Sequence, residues 1–316
     1  SRQEIATSKS TAPPVGGWNT RDPEANMDSK YALTLDNWFP DTGSVNLRAG
    51  ATNFVTSIGS GLVAKSLAAW KGPTSQKLFA FTDSGVYDVS TINVAGTLVQ
   101  ARTSGYCQSI NFVTTGGSFL VTVNGVDDLV YTNGTTWTTI ASFAISGGGT
   151  LLTPDIDNIS SFKRSIFFVK KNSMSFFYLP IDSITGTVSE YPLGGLFTKG
   201  GKLVASGTWT IDGGVGMDDY SVFVTDQGQA AVYQGTDPSS ASTWALKGIY
   251  DLAPPIGKKC FCRFGGDLLI LTRRGLFSMT RTLRDKMMIQ SAALSDTIGE
   301  AFTRSAGLNG DYDGWE

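Results

Sequence analysis

The chain of 316 residues contains no histidine. That absence removes the commonest general base and metal ligand near neutral pH, and with it any Ser-His-Asp triad. Cysteine is scarce: Cys107, Cys260 and Cys262 are an odd count and do not make a disulfide framework. In a strand, Cys260 and Cys262 would share one face yet stand too far apart to bridge. All three therefore read as small buried hydrophobes rather than as a zinc site, and no cofactor is implied. No apolar run reaches the roughly 18 residues that a membrane-crossing helix needs. The polar start SRQEIATSKS carries no signal-peptide pattern. The sequons at Asn133 and Asn158 then read as incidental, and the expected setting is a reducing interior or a particle assembled in one. The net charge of −2 gives no overall field to attract nucleic acid or membrane. Glutamate is also rare, five against 22 aspartates, and most of the aspartates stand in turn-like contexts.

What is abundant is glycine, 37 residues, along with serine and threonine. Many glycines mean many tight turns, and many turns mean many short strands. Five stretches read as β-hairpins, with β-branched and aromatic residues flanking a turn: Lys77–Ser90, Ser118–Ile140, Ser165–Pro180, Tyr220–Gly235 and Gly266–Arg281. Their turns centre near Gly85, Gly125, Asn172, Gly228 and Gly275, at spacings of 40, 47, 56 and 47 residues. A strand-built repeat of this length is the signature of propeller blades. A stacked sandwich would instead show turns every 8–12 residues or so, without a blade-length period. Leu203–Ile211 and Lys258–Phe264 supply further strands. The expectation is an all-β propeller of four-stranded antiparallel blades over residues 51–316, preceded by an extended arm and first strand over 1–50.

One segment breaks the β pattern. Leu283–Ala306 predicts a short helix, with Ser295 as cap, Asp296 in the first turn, and Ile298, Ala301 and Phe302 on one face. The chain ends in GLNGDYDGWE, read as a turn followed by the start of another strand at Trp315. A strand cut at its start lacks hydrogen-bonding partners, so further chain and an incomplete last blade are expected.

Several motifs are weaker than they look. GSGLVAKS, Gly59–Ser66, nearly fits a phosphate loop and a dinucleotide fingerprint, but both need a βαβ unit, and a strand and hairpin follow. It reads as a glycine-rich turn entering a strand. TDSGVYDV (Thr82–Val89), TDQGQAAVY (Thr225–Tyr233) and NGTTW (Asn133–Trp137) resemble the Asp-box turns of sialidase-like propellers, where Asp, Asn and Gly serve the turn itself. A glycosidase would need paired carboxylates in a cleft, and none announces itself.

Residues 258–286 carry eight bases (Lys258, Lys259, Arg263, Arg273, Arg274, Arg281, Arg284 and Lys286) against Asp267 and Asp285. Such a run reads either as a solvated face or as a patch for a polyanion or a protein partner, with Arg273 and Arg274 at a hairpin tip.

The arm poses a different question. Trp18, Trp38 and Phe39 lie in a proline-rich stretch that cannot bury them locally. The pieces PPVGGWNTRD (Pro13–Asp22), DNWFPDTGSVNLRAG (Asp36–Gly50) and, far downstream, AALSDTIGEAF (Ala292–Phe302) resemble the nozzle or packaged-DNA-stabilisation proteins of short-tailed phages. The likeness is strongest over the first 50 residues. It implies a propeller subunit of a homo-hexameric ring below the portal and adaptor, acting as a DNA conduit and plug rather than as an enzyme. It further implies residence in the virion tail after assembly in the bacterial cytoplasm. Contacts with tail fibres or spikes and weak, sequence-independent contact with double-stranded DNA are implied too, with no membrane contact until ejection. Trp18, Trp38 and Phe39 would then anchor a subunit interface, and Lys258, Lys259, Arg273, Arg274, Arg281 and Arg284 would meet adaptor, fibre or DNA. The alternative is a carbohydrate-binding or carbohydrate-cleaving propeller, with Trp137, Trp209 or Trp244 exposed beside an aspartate.

Overall fold

A computed structural model describes residues 12–212, 217–285 and 293–308. Its body is a β-propeller of five antiparallel blades in chain order. Blade one comprises Ser66–Lys71, Gln76–Thr82, Gly85–Asp88 and Thr97–Ala101, and blade two Gln108–Thr114, Gly117–Val123, Leu129–Thr132 and Trp137–Ile140. Blade three comprises Ile156–Phe162, Ser165–Lys170, Ser175–Tyr178 and Ser189–Pro192, and blade four Leu203–Asp212, Met217–Thr225, Gln229–Gly235 and Trp244–Asp251. Blade five has three strands among the described residues: Phe261–Phe264, Asp267–Thr272 and Gly275–Ser278. The five hairpins read from the sequence hold the second and third strands of the five blades, Ser118–Ile140 taking in the fourth strand of blade two as well, and each anticipated turn falls between the second and third strands or at the first residue of the third.

Burial explains why the central blades read as unbroken apolar runs rather than alternating ones. In blade three, Phe167 and Val169 pack toward blade four, while Ile166 and Phe168 pack toward blade two. The next strand repeats the division, with Phe176 and Tyr178 on one side and Phe177 and Leu179 on the other. Strand side chains alternate between faces, so a sheet covered on both sides must be apolar at every position. Four hydrophobic clusters result, one at each seam between successive blades. Among the described residues, none joins blade five to blade one.

A small polar device recurs at the turns. Thr82 Oγ1 accepts from Ser84 N and Gly85 N, at 3.2 and 3.1 Å, and donates to Gly85 O at 3.0 Å. Thr225 Oγ1 accepts from Gln229 N at 3.1 Å, and Thr272 Oγ1 accepts from Arg274 N at 3.3 Å and donates to Gly275 O. Asn124 plays the same part in blade two, its Oδ1 accepting from Val126 N and Asp127 N. These four side chains are buried, so the turns satisfy their own backbone groups where water cannot. Gly228 takes φ +77°, and a Cβ there would stand 2.6 Å from Leu252 O, so glycine is required.

Helix α1 (Met279–Asp285) follows blade five, and helix α2 (Gly299–Leu308) lies in the segment expected to be helical. Ser295 does not cap it with its side chain. Its hydroxyl instead accepts from Leu276 N at 3.0 Å, tying the segment to blade five. Gly59–Ala64 forms no helix and leads into the first strand of blade one, as a glycine-rich turn should. Residues 1–11, Lys286, the anticipated turn at Asn309–Gly314 and the strand start at Trp315 lie outside the described residues.

The arm has more structure than the sequence suggests. Gly17–Trp18 pairs in parallel with Tyr31–Ala32, and Trp38–Asp41 pairs with Ser44–Leu47 in a two-stranded hairpin that, among the described residues, joins no other sheet. Part of the arm is docked on its own chain. Thr20 N donates to Thr297 O at 2.9 Å, Ala301 N donates to Thr20 Oγ1, and Arg21 forms an ion pair with Asp296.

Candidate functional site

The first strands of blades two to five converge around a central cavity of about 480 Å³. The lining is mostly polar: Gln108, Ser109 and Asn111 from blade two, Asn158, Ser160 and Ser161 from blade three, and Ser206 and Thr208 from blade four. The same strands send Phe112, Phe162 and Trp209 into the seams, so one strand serves both core and cavity.

The cavity has a floor. Residues 254–260, which link blades four and five, cross the axis, and Lys258 O accepts from Gln108 Nε2 at 2.7 Å and from Asn158 Nδ2 at 3.0 Å. Asn158 Oδ1 accepts from Ser206 N at 3.0 Å, and Ser160 and Ser206 share a hydroxyl contact of 2.7 Å. A network spanning blades two, three and four thus holds the linker in place. Beneath the floor lies a second basin of about 370 Å³, bordered by Asp157, Lys171, Lys202, Asp226 and Arg273.

Three bases line the central cavity: Lys258, Lys259 and Arg263. Lys258 is only 8% exposed, and its Nζ reaches Asn124 O at 3.2 Å and Asp157 Oδ1 at 3.4 Å. Lys259 Nζ donates to Ser66 Oγ at 2.9 Å, and Arg263 Nη2 donates to Thr208 Oγ1 at 2.6 Å. Among the described residues, no aspartate or glutamate lines this cavity. On its wall, Cys107 is buried, and burial pushes its thiol up to about 11 against the pull of Arg102, Lys259 and Lys258. Arg102 lies in the seam between blades one and two. It is 5% exposed, donates to Asp128 O and contacts Asp127 Oδ2 at 3.6 Å.

The basic run 258–286 is consequently not one surface. Lys258 and Lys259 belong to the cavity floor, and Lys258 is withdrawn from any outer face. Arg273 and Arg274 stand exposed at the turn of blade five, as expected, and Arg281 and Arg284 lie exposed on helix α1. Each turn reverses the chain and each strand step changes face, so neighbours in sequence part company. Sequence reading pointed to the bases but missed the hydroxyl and amide row. Its signal is the polar content of Gln108–Asn111 and Asn158–Ser161, which marks only the inward edge of a sheet.

Two of the three tryptophans of the carbohydrate reading are core residues, and the third, Trp137, is half-buried. Trp209 is 5% exposed and stacks on Tyr220; Trp244 is 4% exposed and stacks on Tyr233. Trp137 meets Phe79 and Phe81 edge-on across the seam of blades one and two. Cys107 and Cys260 are buried as expected, whereas Cys262 is exposed, next in the strand Phe261–Phe264 to Phe261, which packs into the seam of blades four and five. The arm aromatics stand open: Trp38 is 46% and Phe39 57% exposed. Trp18 is 41% exposed, its Nε1 donating to Leu33 O at 2.9 Å.

No family model and no curated protein matches the chain. Among solved structures, it is similar to BBS1N in complex with ARL6DN, with 14% identity, a TM-score of 0.45, and coverage of 70% of this chain and 66% of that one. It is also similar to a putative 6-phosphogluconolactonase from Bacteroides uniformis, with 12% identity, a TM-score of 0.44, and coverage of 76% and 71%. The chain spans just under two thirds of the length of BBS1N. Likenesses this distant bear on neither activity nor partners.

Proposed function

We propose that the chain is a structural subunit of the tail of a short-tailed phage or related prophage. In this reading it is one member of a homo-hexameric nozzle ring below the portal and adaptor, which retains genomic DNA and conducts it during ejection. The observation that carries the assembly reading is the hairpin Trp38–Leu47. Among the described residues it pairs with no other sheet, and it presents Trp38 and Phe39 to solvent. A lone two-stranded hairpin is marginal in water, and large rigid aromatics are the usual anchors of protein interfaces. A neighbouring subunit supplies the missing cover.

In such a ring, DNA contact is weak, sequence-independent and steeply salt-dependent, because tight contacts would stall passage. The exposed pair Arg273 and Arg274 meets adaptor, fibre or DNA.

Native mass spectrometry of the double variant Trp38→Ala, Phe39→Ala tests the reading. The expected result is loss of the hexamer with unchanged circular dichroism. A wild-type chain that stays monomeric, or a variant that still forms the ring, overturns it.

A further inference from the structure

Two uncovered apolar surfaces of the chain match one another. We propose that the apolar face of the arm hairpin of one copy docks in a groove on blade one of a second copy. The proposal rests on the assembly reading and names the surface that receives the hairpin.

The register of the hairpin sets Trp38 opposite Leu47 and Pro40 opposite Val45. Strand side chains alternate between faces, so these four share one face, and Phe39, Asp41, Ser44 and Asn46 share the other. One face is therefore wholly apolar, and the second is polar apart from Phe39. Trp38 is 46% and Leu47 64% exposed, so the apolar face stands largely in water. An antiparallel pair of this pattern is made to lie against another surface on one side.

The groove lies on the side of blade one that faces away from blade two. Phe79, Phe81 and Val86 pack toward blade two. The alternate residues Leu67, Leu78, Ala80 and Val89 face the other way, and with Phe54, Ile58 and Leu62 of the preceding linker they border a cavity of about 580 Å³. Blade one is thus apolar on both faces, as blade three is. Among the described residues no neighbouring blade forms a hydrophobic cluster with this second face, and Leu67 is 64% exposed there. The linker is held in place, since Asn93 N donates to Phe54 O at 2.9 Å and Gly96 N donates to Ser57 O at 2.8 Å. The groove is therefore formed before anything binds, which limits the ordering that docking must impose. Its volume suits a few large side chains rather than a further blade.

Charge and polarity agree. Among the described residues, no side chain lining the groove carries a formal charge, and the apolar face of the hairpin carries none. Each surface gives up only water on meeting the other. Phe176 and Phe223 fill the seam of blades three and four by stacking. Trp38 brings an aromatic filling to the blade face that lacks one.

The donor is a second copy because the linker of the hairpin forms one wall of the groove. Residues 48–52 are all that separates Leu47 from Asn53 at its rim, and the chain's own hairpin would have to double back within them. Short hinges of this kind favour exchange between identical chains. Each copy then gives one hairpin and receives one, a head-to-tail contact that closes into a ring where the rotation allows. Hairpin face and groove bury on the order of 300 Å² each, too little for a stable dimer, whereas a ring gives every chain two such contacts.

Cross-linking between copies tests the proposal. Cys107 and Cys260 are buried, and the exposed native thiol is removed by Cys262→Ser. One preparation then carries Leu47→Cys and another Leu67→Cys, both at exposed positions. The two are mixed as dilute chains, concentrated together and treated with a short bismaleimide. The expected product is a linked pair joining position 47 of one chain to position 67 of the other. Phe39→Cys in place of Leu47→Cys, on the opposite face, is expected to link at least about tenfold less. Leu67→Asp is expected to weaken assembly at least about tenfold in native mass spectrometry across a dilution series, with unchanged circular dichroism. A wild-type chain that stays monomeric would overturn the assembly reading and this proposal together. A wild-type chain that assembles while positions 47 and 67 do not link, or while Leu67→Asp assembles equally well, would overturn this proposal alone. Linking as strong from Phe39→Cys as from Leu47→Cys, or a link formed only within single chains carrying both Leu47→Cys and Leu67→Cys, would refute it as well.

Discussion

The seam between blades three and four and the hairpin of the arm are built from the same kind of residue and treat it in opposite ways. In the seam, Phe176 and Phe223 stack with ring centroids 4.2 Å apart, Tyr233 and Trp244 stack at 5.0 Å, and Phe167 meets both groups. Phe167, Phe176 and Phe223 are fully buried. In the arm, Trp38 and Phe39 sit side by side on a strand whose four residues are all exposed. An aromatic ring contributes to folding only through the area it removes from water and the geometry it finds there. The seam offers both to its rings, whereas the arm offers neither. Aromatic content alone therefore says nothing about where a protein is held together, and the burial of each ring separates fold from assembly.

The comparison breaks most sharply at Phe176. Phe176→Ala would leave a cavity in a stacked cluster and is expected to cost about 3–5 kcal/mol of unfolding free energy, measured by urea denaturation. A loss below about 1 kcal/mol would mean that the seam collapses around the gap and is not the tightly packed core described here. A smaller effect is expected where a seam is polar. Between blades one and two, Asp127 accepts from Thr103 N at 2.9 Å, from Thr103 Oγ1 at 2.6 Å and from Asn124 Nδ2 at 2.7 Å. Burial opposes its ionisation, but these bonds and nearby Arg102 outweigh it and hold the carboxyl below its usual range. A carboxyl depressed in the folded state stabilises the fold above its unfolded pKa of about 4, and that contribution fades as pH falls through the folded value. Asp127→Asn is therefore expected to cost about 1 kcal/mol at pH 7, and to cost less at pH values below the folded pKa, measured by denaturation across an acid series. An equal loss at all pH values would assign Asp127 a purely steric part. The smallest effect belongs to the arm. Trp38→Ala is expected to change the stability of the isolated chain by no more than about 0.5 kcal/mol, measured on dilute protein. A larger loss would mean that the hairpin packs on its own body, and the contrast with the seam would fail.

The blade repeat was legible because it is local. Each hairpin carries its own turn chemistry, and Thr82, Asn124, Thr225 and Thr272 show that the same short device recurs with different letters. Thr272 escaped notice because its turn, TRRG, reads as a basic motif first. The central cavity was not legible. Gln108, Asn158, Ser206 and Lys258 are spread over 150 residues of chain and meet only because three strands and a linker share one axis. The bases of residues 258–286 misled in the opposite direction, since closeness in sequence suggested a patch that strand alternation and a turn divide.

Period, turn residues and apolar runs were enough to specify an all-β propeller, because strand formation and turn closure depend on neighbours within a few residues. The absence of histidine likewise narrowed the chemistry before any fold was known. Which polar side chains face the axis, which lysine is sealed in the floor and which aromatics are left uncovered were decided only when the blades packed. Those properties depend on surfaces brought together from distant parts of the chain, and on the alternation that sends each residue to one face or the other.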